Sequence, residues 1–482
     1  MTHSRREFLR CCGAAASPAT ARGSRPNIVF FLMDDMGWMD TTVFGSRYYD
    51  TPNMERLARR SMTFTAAYSA SPLCSPTRAS ILTGKYPART GITTACGHTP
   101  PKPRGAPRFP AAASPARRFL LPESLCFLDP GEFTIAEALK EGGYRTGHVG
   151  KWHLGLNPEH WPERQGFDTA VHGKPDPGPP SYFSPYKFRA GTLKDGPPGE
   201  YITDRLTDEA LRFIDANREG PFLLHLWHHA VHGPWGYKEE LARQYAGRKD
   251  PRGKQNNPIM AAMLKSADES LGRVLDQLDR DGLADNTVFI FFSDNGGNVH
   301  SRIGPDQLPP TNNHPLREGK AFLCEGGTRV PCMIAWPGVV KPGSKCDEVI
   351  SSVDFYPTML EMAGLKRKPG VVIDGESIVP LLRGTGKLKR EAIYCYFPHG
   401  GPARPPGVYV RKGDWKLIRY YETGPAHPEE YELFNLREDL SETTNLAAKQ
   451  PERVRELHAL IDSFLSDTGA VVPKPNPAWK AR

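Results

Sequence analysis

Asn27-Ile28-Val29-Phe30-Phe31-Leu32-Met33-Asp34-Asp35 places a short, uninterrupted apolar run directly before two carboxylates. A run of this length with no polar alternation is the pattern of a strand buried on both faces of a parallel sheet. Outward from it, Thr51-Pro52 opens a helix with Pro at its first position and Met54, Leu57 and Ala58 on one face. Thr134 to Glu137 forms a capping box ahead of Ala138 and Leu139, and Gly142-Gly143 ends that helix. A strand follows over 144–148. Helical periodicity returns at 203–216 and 259–280, beside apolar strands at Phe222–Trp227 and 287–292. Strands alternating with helices predict an α/β core, a large doubly wound mixed sheet flanked by helices, over residues 22–385. Beyond it, short strands at Ala392–Phe397, 407–410, Trp415–Tyr420 and Tyr431–Asn435, then a helix over 451–465, predict a smaller C-terminal α+β domain. That domain spans 386–482 and carries an antiparallel sheet.

Composition narrows the class. The 482 residues hold 46 Gly and 47 Pro, about 19% of the chain against a usual share of about 12%, so long ordered loops are expected. Two such loops are 97–122 and 172–200. The first carries Lys102, Arg104, Arg108, Arg117 and Arg118 and no acidic residue. Apolar runs fall well short of the roughly 18 residues of a membrane span, and nothing calls for a nucleic-acid partner. Residues 1–21 resemble a twin-arginine export signal: Arg5-Arg6 with Phe8 and Leu9 in register, then a weakly apolar stretch to Ala19-Thr20-Ala21. Its removal takes the net charge from +8 to +6 and implies a periplasmic or secreted protein in a compartment where disulfides persist. Of the nine cysteines, Cys11 and Cys12 leave with that signal.

The chemistry concentrates in a few stretches. In Cys74-Ser75-Pro76-Thr77-Arg78, Pro76 starts a helix, which puts Cys74 at an N-terminus that favours negative charge, with Arg78 one turn on. Either cysteine chemistry or a buried structural thiol fits that fragment alone. Asp34-Asp35 and Asp294-Asn295 each close a buried strand, where α/β sheets bind ligands. Three carboxylates and an amide oxygen are hard ligands suited to Ca²⁺, with Mg²⁺ as the alternative. His225, His228, His229 and His232 crowd one strand and its exit, which invites a zinc reading.

The Cys74–Arg78 core resembles the signature of the type I sulfatases of the alkaline-phosphatase superfamily, in which the Cys of C-x-P-x-R becomes Cα-formylglycine. The stretch Gly143-Tyr144-Arg145-Thr146-Gly147-His148-Val149-Gly150-Lys151-Trp152-His153 resembles that family's second signature. Further similar stretches lie at 27–37, 222–234, 289–297, 316–331 and 407–446, so the resemblance covers about residues 25–450. It implies a sulfuric ester hydrolase that a formylglycine-generating enzyme matures at Cys74. Asp34, Asp35, Asp294 and Asn295, with the oxidised Cys74, would hold one divalent cation, usually Ca²⁺. Lys151 and Arg78 would stabilise the aldehyde hydrate, whose oxygen attacks sulfur. His153 would then deprotonate the remaining hydroxyl to release sulfate. His232, with His229 as the fallback, would bind sulfate and protonate the leaving oxygen, which displaces the zinc reading. Lys320, before Glu325 to Pro331, would grip sulfate and the bridging oxygen.

The basic loop 97–122 favours sulfated carbohydrates over simple aryl esters as substrates. The alternatives are a phosphonate monoester or phosphodiester hydrolase of the same superfamily, or an inactive glycan-binding relative. Asp414-Trp415 matches a recurrent stretch of the family's C-terminal sheet and is expected to pack rather than react. With Cys74 assigned to catalysis, Cys96, Cys126, Cys324, Cys332, Cys346 and Cys395 allow three disulfides, and a clip from Cys96 to Cys126 across the basic loop is the first choice.

Overall fold

Strand β1, Asn27–Met33, is buried along its whole length, and its alternate residues feed two separate cores. Val29, Phe31 and Met33 pack to one side, Ile28, Phe30 and Leu32 to the other, as the two-residue repeat of a strand requires. The computed structural model describes residues 25–480 except 104, 112, 402 and 424–427. The export-signal reading of 1–21 and Arg104 of the basic loop lie outside the described residues.

The remaining strands of the main sheet are β2 (Met62–Phe64), β3 (Arg145–Gly150), β4 (Thr169–Val171), β5 (Phe222–Trp227), β6 (Thr287–Ser293), β7 (Cys332–Ala335) and β8 (Ser344–Cys346). Their spatial order is β8-β2-β7-β6-β1-β5-β3-β4. Only β7 runs antiparallel to its neighbours, so the sheet is mixed, as expected. The strand expected over 144–148 runs on to Gly150 because its pairing with β5 continues to Gly150 opposite Trp227. In the same register Leu32 lies opposite Trp227 and Met33 opposite Ser293. Four chain segments therefore leave one carboxyl edge side by side: those starting at Asp34, Lys151, His228 and Asp294.

Helices α1 (Pro52–Arg60), α4 (Ile202–Ala216) and α5 (Pro258–Arg280) cover one face through Met54, Leu57, Leu206, Met260 and Leu264. Helices α2 (Cys74–Thr83), α3 (Ile135–Glu141) and α6 (Phe355–Met362) cover the other through Ile81, Leu82, Leu139 and Phe355. The capping box at Thr134 and Glu137 is formed at the start of α3.

The C-terminal domain is an antiparallel sheet in chain order: β9 (Ala392–Phe397), β10 (Gly407–Lys412), β11 (Trp415–Tyr420) and β12 (Tyr431–Asn435). Helix α7, Pro451–Asp467, lays Leu457, Ile461 and Phe464 on Val408, Val410, Leu417 and Leu433. The opposite face, with Cys395, Tyr409, Ile418 and Phe434, receives Leu323 from the loop behind β6. Cys96 and Cys126 are bonded, while Cys324, Cys332, Cys346 and Cys395 are free. One disulfide thus stands where six cysteines allowed three. Cys332 and Cys346 flank Phe64 from opposite sides of β2 and cannot meet.

Candidate active site

Helix α2 begins at Cys74, capped by Leu73 with no side-chain hydrogen bond, and all ten of its residues are buried. Its first N–H groups are therefore left free at the centre of the molecule. Burial pushes the Cys74 thiol up to about 12, although Lys151 and Lys320 oppose the shift. An unmodified thiol here stays protonated and is a poor nucleophile.

Three carboxylates and three cations converge on this point in pairs. Lys151 Nζ lies 2.6 Å from Asp34 Oδ2, Lys320 Nζ 2.7 Å from Asp35 Oδ2, and Arg78 Nη2 2.7 Å from Asp294 Oδ2. Arg78 also donates to the Lys151 carbonyl at 2.8 Å and lies over the Trp227 ring. Burial, together with Asp294 and Asp35, holds the Asp34 carboxyl above the usual range. Lys320 and His232 hold Asp35 below it against its own burial. Asp35 and His153 both sit in the left-handed backbone region, at φ 62° and 60°. Each costs of order 1–3 kcal/mol and persists only where its surroundings dictate it. The Asp35 N–H donates to Asp294 Oδ1 at 3.2 Å, and Ser75 Oγ donates to the His153 carbonyl at 2.7 Å.

The residues present fit a divalent cation. One ligand atom each of Asp34, Asp35, Cys74 and His232 lies within 4.8 Å of the others. Asp34 Oδ1 and Asn295 Oδ1 are buried without a hydrogen-bond partner among the described residues, an arrangement that a bound ion relieves. Asn295 also donates from Nδ2 to Asp35 Oδ1 at 2.8 Å. Asp294 stands beside this group with one oxygen given to Arg78.

The four clustered histidines separate. His225 stacks on Trp227 at 4.7 Å, and His228 Nε2 meets Ser270 Oγ at 2.9 Å. His229 is buried near Phe188. Of these four, only His232 reaches the carboxylates, with Nε2 3.8 Å from Asp35 Oδ2 and Nδ1 donating to the Gly233 carbonyl. His153 does not share an extended face with Lys151. Its positive φ turns it away, and its Nε2 meets His98 Nδ1 at 3.0 Å.

Sequence reasoning missed His98, hidden in a loop read for its charge, and Tyr182. The Tyr182 hydroxyl lies 2.8 Å from the His229 carbonyl and 2.7 Å from that of His232; its only signal is its place in the Gly/Pro-rich loop 172–200. The described cations of loop 97–122 are engaged locally. Lys102 pairs with Glu123, Arg108 donates to the Gly91 and Glu123 carbonyls, Arg117 donates to the Gly400 carbonyl, and Arg118 lies over Phe119. Next to Cys74 and Lys320, a cavity of about 420 Å³ is lined by Leu73, Thr94, Ala321, Phe397, His399 and Arg404.

A doubly wound fold with cations and carboxylates gathered at a helix N-terminus is an anion-handling hydrolase architecture. The sulfatase family model matches residues 26–365, and that of the N-sulphoglucosamine sulphohydrolase C-terminal region matches 318–467. The chain is 34% identical over 412 residues to mouse N-acetylgalactosamine-6-sulfatase, covering 81% of this chain and 72% of that one. It is 30% identical to a sulfatase of Formosa agariphila, covering 89% and 86%. The solved structure of Ps i-CgsB superposes with a TM-score of 0.76 at 27% identity over 95% of both chains. The same protein has been solved in complex with k-i-k-neocarrahexaose. The chain belongs to the sulfatase family, as a type I sulfatase and a sulfuric ester hydrolase.

Proposed function

We propose that this sulfatase removes sulfate from carbohydrates, with position 74 converted to Cα-formylglycine by a formylglycine-generating enzyme. The observation that carries the reading is the convergence of Lys151, Lys320 and Arg78 on the N-terminus of α2, where the unmodified thiol is inert. Asp34, Asp35, Asn295 and Asp294, with position 74, would hold Ca²⁺ or Mg²⁺, and the ion supplies positive charge for the nucleophile and the sulfate oxygens. The hydrated aldehyde offers one hydroxyl to attack sulfur and a second whose deprotonation releases sulfate.

The chain's own groups do the rest. Lys151, Lys320 and Arg78 balance charge that builds on the sulfate oxygens, in a site where burial strengthens each contact. His232 donates its Nδ1–H to the Gly233 carbonyl, so it protonates the leaving oxygen from Nε2 only as the imidazolium, a form that Asp35 at 3.8 Å favours. His153 is kept neutral by burial and by Lys151, which suits a base. The cavity beside Leu73 and Ala321 has the size of a small-ligand pocket, and exposed Arg404 at its rim makes no ion pair among the described residues. Relatives that act on or bind sulfated sugars support the glycan reading. Export through residues 1–21, a catalytic unit over 22–385 and a second unit over 386–482 complete the proposal.

The test is the mass of the peptide spanning 71–85 from purified protein, together with sulfate release from sulfated oligosaccharides. The aldehyde in place of the thiol, and turnover that dies in Cys74→Ala, are expected. An unmodified thiol in active protein, or faster turnover of phosphate diesters than of sulfate esters, overturns the reading.

A further inference from the structure

We propose that His98 is a positioning residue for His153: it selects the His153 tautomer and carries its proton out to water. The inference rests on the sulfatase reading above. His98 Nδ1 lies 3.0 Å from His153 Nε2, with the rings stacked 5.3 Å apart and 27° from parallel. The line between two such nitrogens holds one N–H. His153 Nδ1 is buried and has no hydrogen-bond partner among the described residues. When His153 donates Nε2–H to His98, its Nδ1 keeps a lone pair and becomes the basic nitrogen.

The proton path balances. His153 Nδ1 takes the proton of the hydroxyl at position 74, and that electron pair drives sulfate release. The Nε2–H bond of His153 then breaks as an N–H bond forms at His98 Nδ1. His98 finally loses its Nε2 proton to water. A proton returns from water to His98 Nε2, and the His98 Nδ1 proton passes back to His153 Nε2. His153 Nδ1 gives its proton to the aldehyde oxygen as water adds to the carbonyl carbon and sheds its own second proton to solvent, which restores the hydrate and both rings.

Electrostatics favour the outward step. His153 is fully buried, and Lys151, Arg78, His98 and His232 all oppose charge on it. Burial also holds His98 below the ordinary imidazole value, with Lys151 adding to it, but His98 is only half-buried and Asp176 favours its charge. The positive charge is therefore better placed on His98.

The loop is built to hold this contact. Cys96, two residues before His98, is bonded to Cys126. Gly97 bridges to Leu154, and its backbone passes so close to His153 that an added Cβ would sit 1.9 Å from the His153 carbonyl oxygen.

The experiment compares the full-length protein with His98→Ala and His98→Gln. The first readout is the imidazole ¹⁵N signature of His153 in resting protein, which does not depend on maturation at position 74. Wild type is expected to show Nδ1 unprotonated and Nε2 protonated. His98→Gln should keep that tautomer through its side-chain oxygen, and His98→Ala should lose it. In kinetics, kcat of His98→Ala should fall about 10²-fold with KM unchanged, the acidic limb of its pH profile should move, and added imidazole should restore turnover. His98→Gln should lose kcat without the tautomer change. A protonated Nδ1 in wild type, a loss confined to KM, or an unaltered pH profile in His98→Ala overturns the proposal. Failure of the sulfatase reading would instead appear as a thiol at position 74 with the ring signature intact.

Discussion

Replacing Lys416 by Met probes the joint between the C-terminal sheet and the loop that carries Lys320. Lys416 Nζ is 2.9 Å from Glu325 Oε1 and 2.9 Å from Glu442 Oε1, and all three side chains are fully buried. Without the ammonium, Glu325 keeps Tyr68 and Arg329, but among the described residues Glu442 keeps only the Glu325 N–H and Arg317 at 3.6 Å. Removing one member of such a buried set costs about 3–5 kcal/mol. The pH dependence has a definite sign. Burial already holds the Glu442 carboxyl above its ordinary value despite Lys416, and losing Lys416 raises it further. A carboxyl raised in the folded state binds its proton more tightly there than in the unfolded chain, so the variant recovers as pH falls. The recovery is up to about 1.4 kcal/mol per pH unit, in the window between the native and variant folded values. Urea unfolding followed by tryptophan emission should show the deficit widest at alkaline pH and narrower as the pH falls. Adding Glu442→Gln to Lys416→Met should recover much of the loss, because both partners are then gone. A deficit under about 1 kcal/mol, one that ignores pH, or a double variant no better than the single would refute the reasoning.

Cys96→Ser with Cys126→Ser opens a loop of sequence separation 30, worth about 3.6 kcal/mol of chain entropy; the thermal midpoint should drop, and an unchanged midpoint counts against it. Gly97→Ala forces a Cβ against the His153 carbonyl, so kcat should fall about tenfold or more while far-ultraviolet circular dichroism stays native; retained activity would show that the loop can give way. Arg404→Ala should raise KM for sulfated oligosaccharides about tenfold and leave small aryl sulfates untouched, and equal shifts on both would remove Arg404 from the sugar contact.

Elements with a local signal were legible in the sequence. The apolar strands β1, β5 and β6, the capping box before α3, and Pro76 at the start of α2 each announce themselves within a few residues. The site followed because Asp34, Lys151, His228 and Asp294 begin segments that leave one edge of one sheet, a consequence of parallel register. What stayed hidden depends on contacts between distant segments. His98 meets His153 only because a disulfide and a glycine bring two loops together. Lys416, adjacent to the Trp415 expected to pack, proves to be a buried ion partner, since nothing in its own strand reveals Glu325 and Glu442. The partners of loop 97–122 stayed hidden in the same way: a sequence counts charges but does not show which carbonyl or carboxylate each one meets.

The C-terminal sheet is therefore more than an appendage to the catalytic fold. Lys320 lies on a segment held at both ends by that sheet and in the middle by the core. Arg317 pairs with Glu432 on β12, Leu323 fills the face of Cys395, Tyr409, Ile418 and Phe434, and Glu325 pairs with Lys416 on β11. Between these anchors the Lys320 N–H donates to the Gly297 carbonyl and the Ala321 N–H to that of Pro72. Glu318 and Ala321 both take positive φ. A backbone strained at two non-glycine positions needs rigid ground on either side, and here half of that ground is the C-terminal sheet. The same sheet supplies Phe397, and the segment after it supplies His399 and Arg404 at the cavity beside Lys320. One structural unit thus holds Lys320 in place and walls the pocket beside it.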